Sequence, residues 1–556
     1  MSVERRSASP GPSGGPAVDA ESGGWAPLRM HAFRSLWLAT LGSNIGTWMH
    51  ELAASWAMTQ LSSSRLDVAL VPVASMLPVM VMGLPGGALA DLFDRRRLLI
   101  GTQLWSFGAA SGLGVLAWSD ALTPGRLLVL VAALSIGTAL QRPALQAIVP
   151  DLVPRRLLPA AVALNGASIN LARAIGPALA GVLLSVSGAW AVFFTNAATF
   201  LCSLLVLWIW RGVRPESRQP PERVLAAMAT GLRYVRHAPS MQTVLLRAAG
   251  FLIVAAGLWS LLPVWIAELG RGPRALGWAF SSLGFGAVVG TLALPSLRAR
   301  WGANGLTMVA TLVFGIGGLA LSASSSVSLL EPPLLALVGM AWLVTMASLN
   351  TAAQSVLPAW VRARGLSIYL VVFAASMALG AAVWGALADA TSVRVALTLA
   401  SLGCLVNALL ARRQPLPAEN ESTPIVPFLP AEHPVVVPTE PSREVQVCVR
   451  YRIAREHWGR FEDLMVREVG PWRLRTGAHF WGVYQDAAQP MCWVESFRLP
   501  SWQEHLRQHE RSSAVDWDLR ARAAAFHQGG TPPRVQHFLA PPWEPRGEAD
   551  AAASEP

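Results

Sequence analysis

Glu51, Arg142 and Arg173 are ionisable side chains set inside long apolar stretches of this 556-residue sequence. Moving a charge out of water is expensive, so residues in such places normally face a polar cavity or one another. A carboxylate that gains and loses a proton as its surroundings change can couple a proton gradient to the movement of another solute. Glu51 is the candidate for that chemistry, with Arg173 or Arg142 as its partner or as a contact for an anionic solute. The same residues can also serve only to hold helices together. Asn44 and Asn350 are candidates for a polar pathway, and equally for interhelical hydrogen bonds.

Two further patterns concern movement rather than proton transfer. In residues 86–97 (GGALADLFDRRR) a small-residue helix end runs into Asp91 and then into a basic turn. Gly86 and Gly87 allow close approach of another helix, and Asp91 can complement a neighbouring helix N-terminus, balanced by Arg95, Arg96 and Arg97. In residues 170–181 (NLARAIGPALAG) the pair Gly176-Pro177 removes a helix hydrogen bond and permits a kink, while Gly176 and Gly181 permit tight packing.

The elements that carry these residues are membrane spans. Hydrophobic residues make up 53% and charged residues 14% of the chain, where soluble domains carry roughly 25% charged residues. Apolar segments recur at 36–60, 67–90, 98–118, 126–149, 159–186, 189–210, 246–268, 275–297, 303–324, 333–357, 366–388 and 392–411. Each is long enough for a helix to cross roughly 30 Å of hydrocarbon. The expected fold is an all-α polytopic membrane protein of twelve transmembrane helices in two six-helix halves, 31–211 and 246–413, joined by a loop at 212–245. Within that loop, residues 223–237 have the spacing of an amphipathic surface helix.

Orientation follows from arginine, the only basic residue besides histidine in this sequence of net charge +11. Arg95–Arg97, Arg155, Arg156, Arg211–Arg236, Arg298, Arg300, Arg362, Arg364, Arg412 and Arg413 fall in one alternate set of loops. By the positive-inside rule that set faces the cytoplasm, and both termini with it. Basic residues distributed this way argue against a nucleic-acid groove. Cys202, Cys404, Cys448 and Cys492 show no metal-site or disulfide spacing, no phosphate-binding G-x-x-x-x-G-K-[ST] loop occurs, and no cofactor is expected.

Residues 1–30 and 541–556 read as disordered tails and 414–443 as a Pro-rich linker. Residues 444–540 alternate as β-α-β-β-α-β, the order of a small α+β ferredoxin-like domain. Trp481, Tyr484, Trp493, His505 and His509 are its candidate pocket residues. His505 and His509, four apart on a charged helix, suit a solvated face better than a catalytic one. The domain reads as a regulatory or dimerising module.

Residues 86–97 resemble the loop between helices 2 and 3 of the major facilitator superfamily. Gly87 and Asp91 match its G-x-x-x-D core and Arg95 and Arg96 its basic pair, whereas Leu92 and Asp94 depart from it. The second half has Pro295 where the equivalent acid would stand. With residues 43–49 (SNIGTWM), the Gly-Pro motif and residues 504–511 (EHLRQHER), the chain resembles the bacterial transmembrane secretion effector branch, similar to the enterobactin exporters, and the tail resembles dimeric α/β-barrel monooxygenases. The resemblance implies a multi-pass exporter of the bacterial cell membrane for siderophores, drugs or other amphiphilic small molecules, using protons as the coupling ion. It makes Gly87, Asp91, Arg95 and Arg96 a conformational latch, the Gly176-Pro177 motif a mark of efflux, and Asn44 and Asn350 lining residues of spans 1 and 10. The alternative is a membrane-tethered enzyme or regulator acting through the tail.

Overall fold

The computed structural model describes residues 24–92, 94–209, 231–324, 330–358, 360–417 and 444–540. The side chains of 83–92 and of residue 95 lie outside the described set. Among the described residues eleven long helices come first: α1 His31–Leu61, α2 Arg65–Leu92, α3 Arg95–Trp118, α4 Pro124–Leu152, α5 Leu158–Ser187, α6 Ala189–Ile209, α7 Pro239–Glu268, α8 Pro273–Ala323, α9 Glu331–Val356, α10 Arg362–Ala390 and α11 Val393–Leu410. Ten of them, α2 to α11, are long and apolar enough to cross a membrane. α1 also has 31 residues, but its Asn44, His50, Glu51 and Gln60 dilute its apolar character.

The expected loop between spans eight and nine shrinks to one residue. α8 runs for 51 residues and is broken only at Gly302, whose φ of 64° suits glycine. Pro295 stands within the helix before that break. Beyond it, the Asn304 Oδ1 accepts from the Arg247 guanidinium and, at 3.1 Å, from the Leu416 amide, tying the end of the bundle to α7. α7 likewise begins seven residues earlier than the apolar run suggests, because Pro239 at its first turn is already set for helical φ. Of the expected surface helix at 223–237, residues 231–236 are helical and the part before 231 lies outside the described residues.

At the α2–α3 turn, Asp94 has a structural use. Its Oδ1 accepts the Arg97 amide at 2.8 Å and caps the N-terminus of α3. Arg96 donates from Nε to the Leu207 carbonyl (3.0 Å) and from Nη2 to the Trp208 carbonyl (2.7 Å). A cation there satisfies the carbonyls that end α6 and complements its dipole.

The tail folds as the sequence pattern predicts. β1 Val445–Arg452, β2 Phe480–Gln485, β3 Cys492–Leu499 and β4 Arg534–Leu539 form one sheet in the order β2-β3-β1-β4, with every pairing antiparallel. Helical rods at 458–476, α14 Trp502–Glu510 and α15 Ala514–Ala525 accompany it, the first containing α12 Trp458–Leu464 and α13 Gly470–Thr476. The core holds Tyr451, Phe461, Trp472, Trp493 and Phe497. Within it the fully buried Glu495 is met by Arg473 Nε at 2.8 Å, Trp481 Nε1 at 3.2 Å and the Tyr451 hydroxyl at 3.3 Å. A buried carboxylate needs that saturation.

Candidate functional site

The first five helix–helix connections alternate between two faces of the bundle. We call the face carrying the α2–α3 turn and the tail the terminal face, and the opposite one the far face. Near the far face the two halves are pinned together by groups 89 to 325 residues apart. Arg65, at the start of α2, donates from Nε to Glu268 Oε1 (2.7 Å) at the end of α7 and from Nη1 to the Ala388 carbonyl (3.1 Å). The Arg65 amide and the Ser64 hydroxyl both donate to Asp389, at 2.6 and 2.7 Å. Arg274 of α8 donates to the Ser185 hydroxyl of α5 at 2.7 Å. By position Glu268 and Asp389 are simply helix-end carboxylates. No local signal reveals the partner, because the pairing depends on how two distant helix ends are brought together.

Below this polar layer, α5 and α8 touch through their backbones. A Cβ at Gly181 would lie 2.9 Å from the Gly277 Cα and 2.9 Å from the Pro273 carbonyl oxygen. A Cβ at Gly277 would lie 2.7 Å from the Pro177 carbonyl oxygen, and one at Gly284 2.6 Å from that of Arg173. Gly176 faces the other way, toward Trp48 and the Ile45 carbonyl of α1. The Gly-Pro segment thus joins α1 on one side and the opposite half on the other, and α5 stays helical through Pro177.

The central charges lie deeper along α1, α4 and α5. Glu51 sits in the electrostatic field of both Arg142 and Arg173. The Arg173 guanidinium stands over the Trp48 ring, 5.3 Å from its centroid. Next to Glu51, His50 is buried against Phe193 at 5.4 Å, and neither ring nitrogen has a hydrogen-bond partner among the described residues. Sequence reasoning passed over His50, although a histidine beside a membrane carboxylate is itself a signal. Asn44 donates to the Ser168 hydroxyl at 3.1 Å, joining α1 to α5. Asn350, exposed on α9, accepts from Gln354 at 3.3 Å. Of the expected latch, the side chains of Gly87, Asp91 and Arg95 lie outside the described residues, and Arg96 is engaged within its own half.

Arg65→Ala is expected to loosen the far face by removing the two bonds that its guanidinium makes to Glu268 and the Ala388 carbonyl. With cysteines at Ser185 and Arg274 in a background free of the native ones, bismaleimide cross-linking should fall several-fold. An unchanged yield would show that Arg65 holds nothing closed.

In the tail, the five expected pocket residues do not form one pocket. Trp481 and Trp493 belong to the helix-covered side, whereas Tyr484 is 52% exposed on the open side of the sheet. The solvated-face reading of His505 is also corrected, since it is 2% exposed. β4 brings His537 to it, with Nε2 atoms 3.1 Å apart, and His509 Nε2 lies 3.3 Å away. Burial, then neighbouring positive groups, lowers His505 to about 2 and His509 to about 4. In the unfolded chain both rings protonate below about 6.5, so the stability they confer is present above that pH and is lost as pH falls toward 4. At pH 5 the loss is about 2 kcal/mol for His505 alone. The protection factors of β1 amides in the full-length protein, exchange rates corrected for the intrinsic pH dependence, should therefore fall between pH 7 and 5, and His505→Leu should flatten the change. Equal pH dependence in both proteins would refute it.

A family model described as transmembrane secretion effector matches residues 22–543. The multidrug efflux pump Tap of Mycolicibacterium fortuitum is 25% identical over 391 residues, covering 67% of this chain and 93% of that protein. The staphyloferrin A transporter of Staphylococcus aureus is 28% identical over 282 residues, 49% of this chain and 69% of that one. Among solved structures, a bacterial homolog of the human lysosomal transporter Spinster, inward-facing and unoccupied, superposes with a TM-score of 0.56 at 17% identity, covering 70% of this chain and 98% of that one. The nucleoside transporter NupG (D323A mutant) gives 0.58 at 13% identity over 69% and 100% of the two chains.

Proposed function

Because this chain belongs to the transmembrane secretion effector family of the major facilitator superfamily, we propose that it is a proton-driven exporter working by alternating access. It is a multi-pass membrane transporter that exports small molecules, and not an enzyme. The observation that carries the proposal is the far-face pinning of one half to the other by Arg65, Glu268 and Asp389 above the Gly181–Gly277 contact. Polar pairs over a small-residue contact can part and re-form as the halves rock.

In this reading α1, α2–α7, the two rods of α8 and α9–α11 make twelve crossings. The arginine-rich terminal face is cytoplasmic, so the conformation is closed outside. Asp91 and its basic turn act as the lock of the opposite state, in which the cytoplasmic side is shut. Glu51 takes up a proton from outside and releases it inside, with Arg142 and Arg173 balancing its charged form. The cargo is a siderophore, a drug or another amphiphilic metabolite, as the names of the efflux and siderophore relatives suggest. Comparing compounds retained by cells with and without the gene tests this: at least one amphiphile should accumulate in the deletion strain, and identical profiles would count against export.

The tail is the dimerising module. Phe480, Tyr484 and Phe538 lie exposed on the open side of its sheet, Tyr484 and Phe538 by 52% and 51%. Exposed aromatic rings set among Arg498, Gln446 and Arg450 on one sheet face give the mixed surface that a second copy can pack against. Replacing Tyr484 and Phe538 together by Asp should convert a detergent-solubilised dimer to a monomer in light scattering; a wild type already monomeric at assay concentration would remove this part of the proposal.

A further inference from the structure

Between the tail and the second half of the bundle lies a cavity of about 380 Å³, within the size range of small-molecule sites. Its walls come from the start of α7, from the α9–α10 junction and from the tail helices. From the membrane half, Tyr234 packs edge-on against Trp360, with ring centroids 5.7 Å apart. From the tail, the Arg511 guanidinium stands 4.3 Å from the centroid of the Trp360 ring, so cation–π contact joins the two bodies beside the cavity.

The lining has more positive charge and more donors than it uses. Arg475 is paired with Asp516, which also accepts from the Ser513 amide and hydroxyl. Arg511 is paired with Glu504 and donates to the Thr476 carbonyl at 3.1 Å. Arg362 gives its Nε–H to the Leu357 carbonyl at 3.3 Å and, among the described residues, is paired with no carboxylate. The buried Trp360 Nε1–H has no acceptor among the described residues. A buried donor left unmatched is costly, and a ligand acceptor would relieve it. The remaining wall is apolar, from Met241, Leu357 and Val515.

We propose that this junction is a regulatory ligand site that binds a small aromatic carboxylate, with its ring against Trp360 and its anionic end on Arg362. The ligand touches walls from both bodies, so its binding fastens the tail to the second half and ties tail position to the transport cycle. A neutral or cationic molecule of the same shape lacks the charge that the lining calls for. None of the groups involved belongs to the central Glu51 site or to the far-face network.

The test uses the full-length protein in nanodiscs with 2-naphthoate as the probe and 2-naphthylmethylamine as the cationic counterpart. Naphthoate should bind and slow hydrogen exchange of both 231–241 and 511–516, and the amine should do neither. Arg362→Gln removes one charge-assisted hydrogen bond and should weaken naphthoate about tenfold. Val515→Trp, which fills the cavity from the other wall, should abolish binding. Naphthoate binding equally to wild type, Arg362→Gln and Val515→Trp would place it elsewhere and overturn the assignment. So would equal binding of the amine, or no protection of either segment.

Discussion

Gly277→Leu abolishes transport, with efflux at least about tenfold below wild type. The reason is geometric. A Cβ at residue 277 already falls 2.7 Å from the Pro177 carbonyl oxygen and 2.9 Å from the Gly181 Cα, so the obstruction is backbone and cannot rotate aside. A leucine forces α5 and α8 apart, and the layer that brings Arg274 to Ser185 must separate with them. The halves then rest open on the far face. The bismaleimide cross-link between positions 185 and 274 should be lost in this variant, and a substrate-site label applied from outside should gain access. Gly277→Ala should fall between wild type and leucine. Wild-type efflux by the leucine variant would mean that the contact is not part of the working cycle.

Glu51→Gln has the second large effect, and on coupling rather than shape. Glutamine keeps the size and the hydrogen bonds of a protonated carboxyl but cannot ionise. If Glu51 carries the proton, the variant loses efflux driven by a pH gradient by about tenfold or more while still exchanging substrate across the membrane without a gradient. Arg173→Gln should also impair coupling, since it removes one of the two charges that balance the ionised form. A purely structural role for Glu51 would make exchange and gradient-driven efflux fall together, and protein yield with them.

Much of this architecture was written locally in the chain. Apolar run length announced the spans, and alternation with turn residues announced the order of the tail's strands and helices. Asp94 is readable as well, because an Asp three residues before a helix amide is an N-cap signal, even where it departs from the superfamily's loop motif. Helix ends were displaced where proline or glycine set the backbone, at Pro239 and Gly302. What was not legible depended on partners far away in sequence. Arg65 gave no sign that it would meet Asp389 and Glu268, and Gly181 did not name Gly277. His505 looked solvated until β4 set His537 against it, because helical periodicity says which residues share a face and not what covers that face.

The central claim, that a proton gradient drives export through a cycle closed at the far face in this structure, is tested most directly in proteoliposomes loaded with no substrate. An amphiphile identified from the deletion strain is supplied on the terminal-face side of oriented vesicles, and a pH gradient, acid on the far-face side, is imposed. The account predicts accumulation on the far-face side against the substrate's own gradient, collapse of that accumulation by a protonophore, and its absence in Glu51→Gln. Accumulation that ignores the pH gradient, or that persists undiminished in Glu51→Gln, would contradict it.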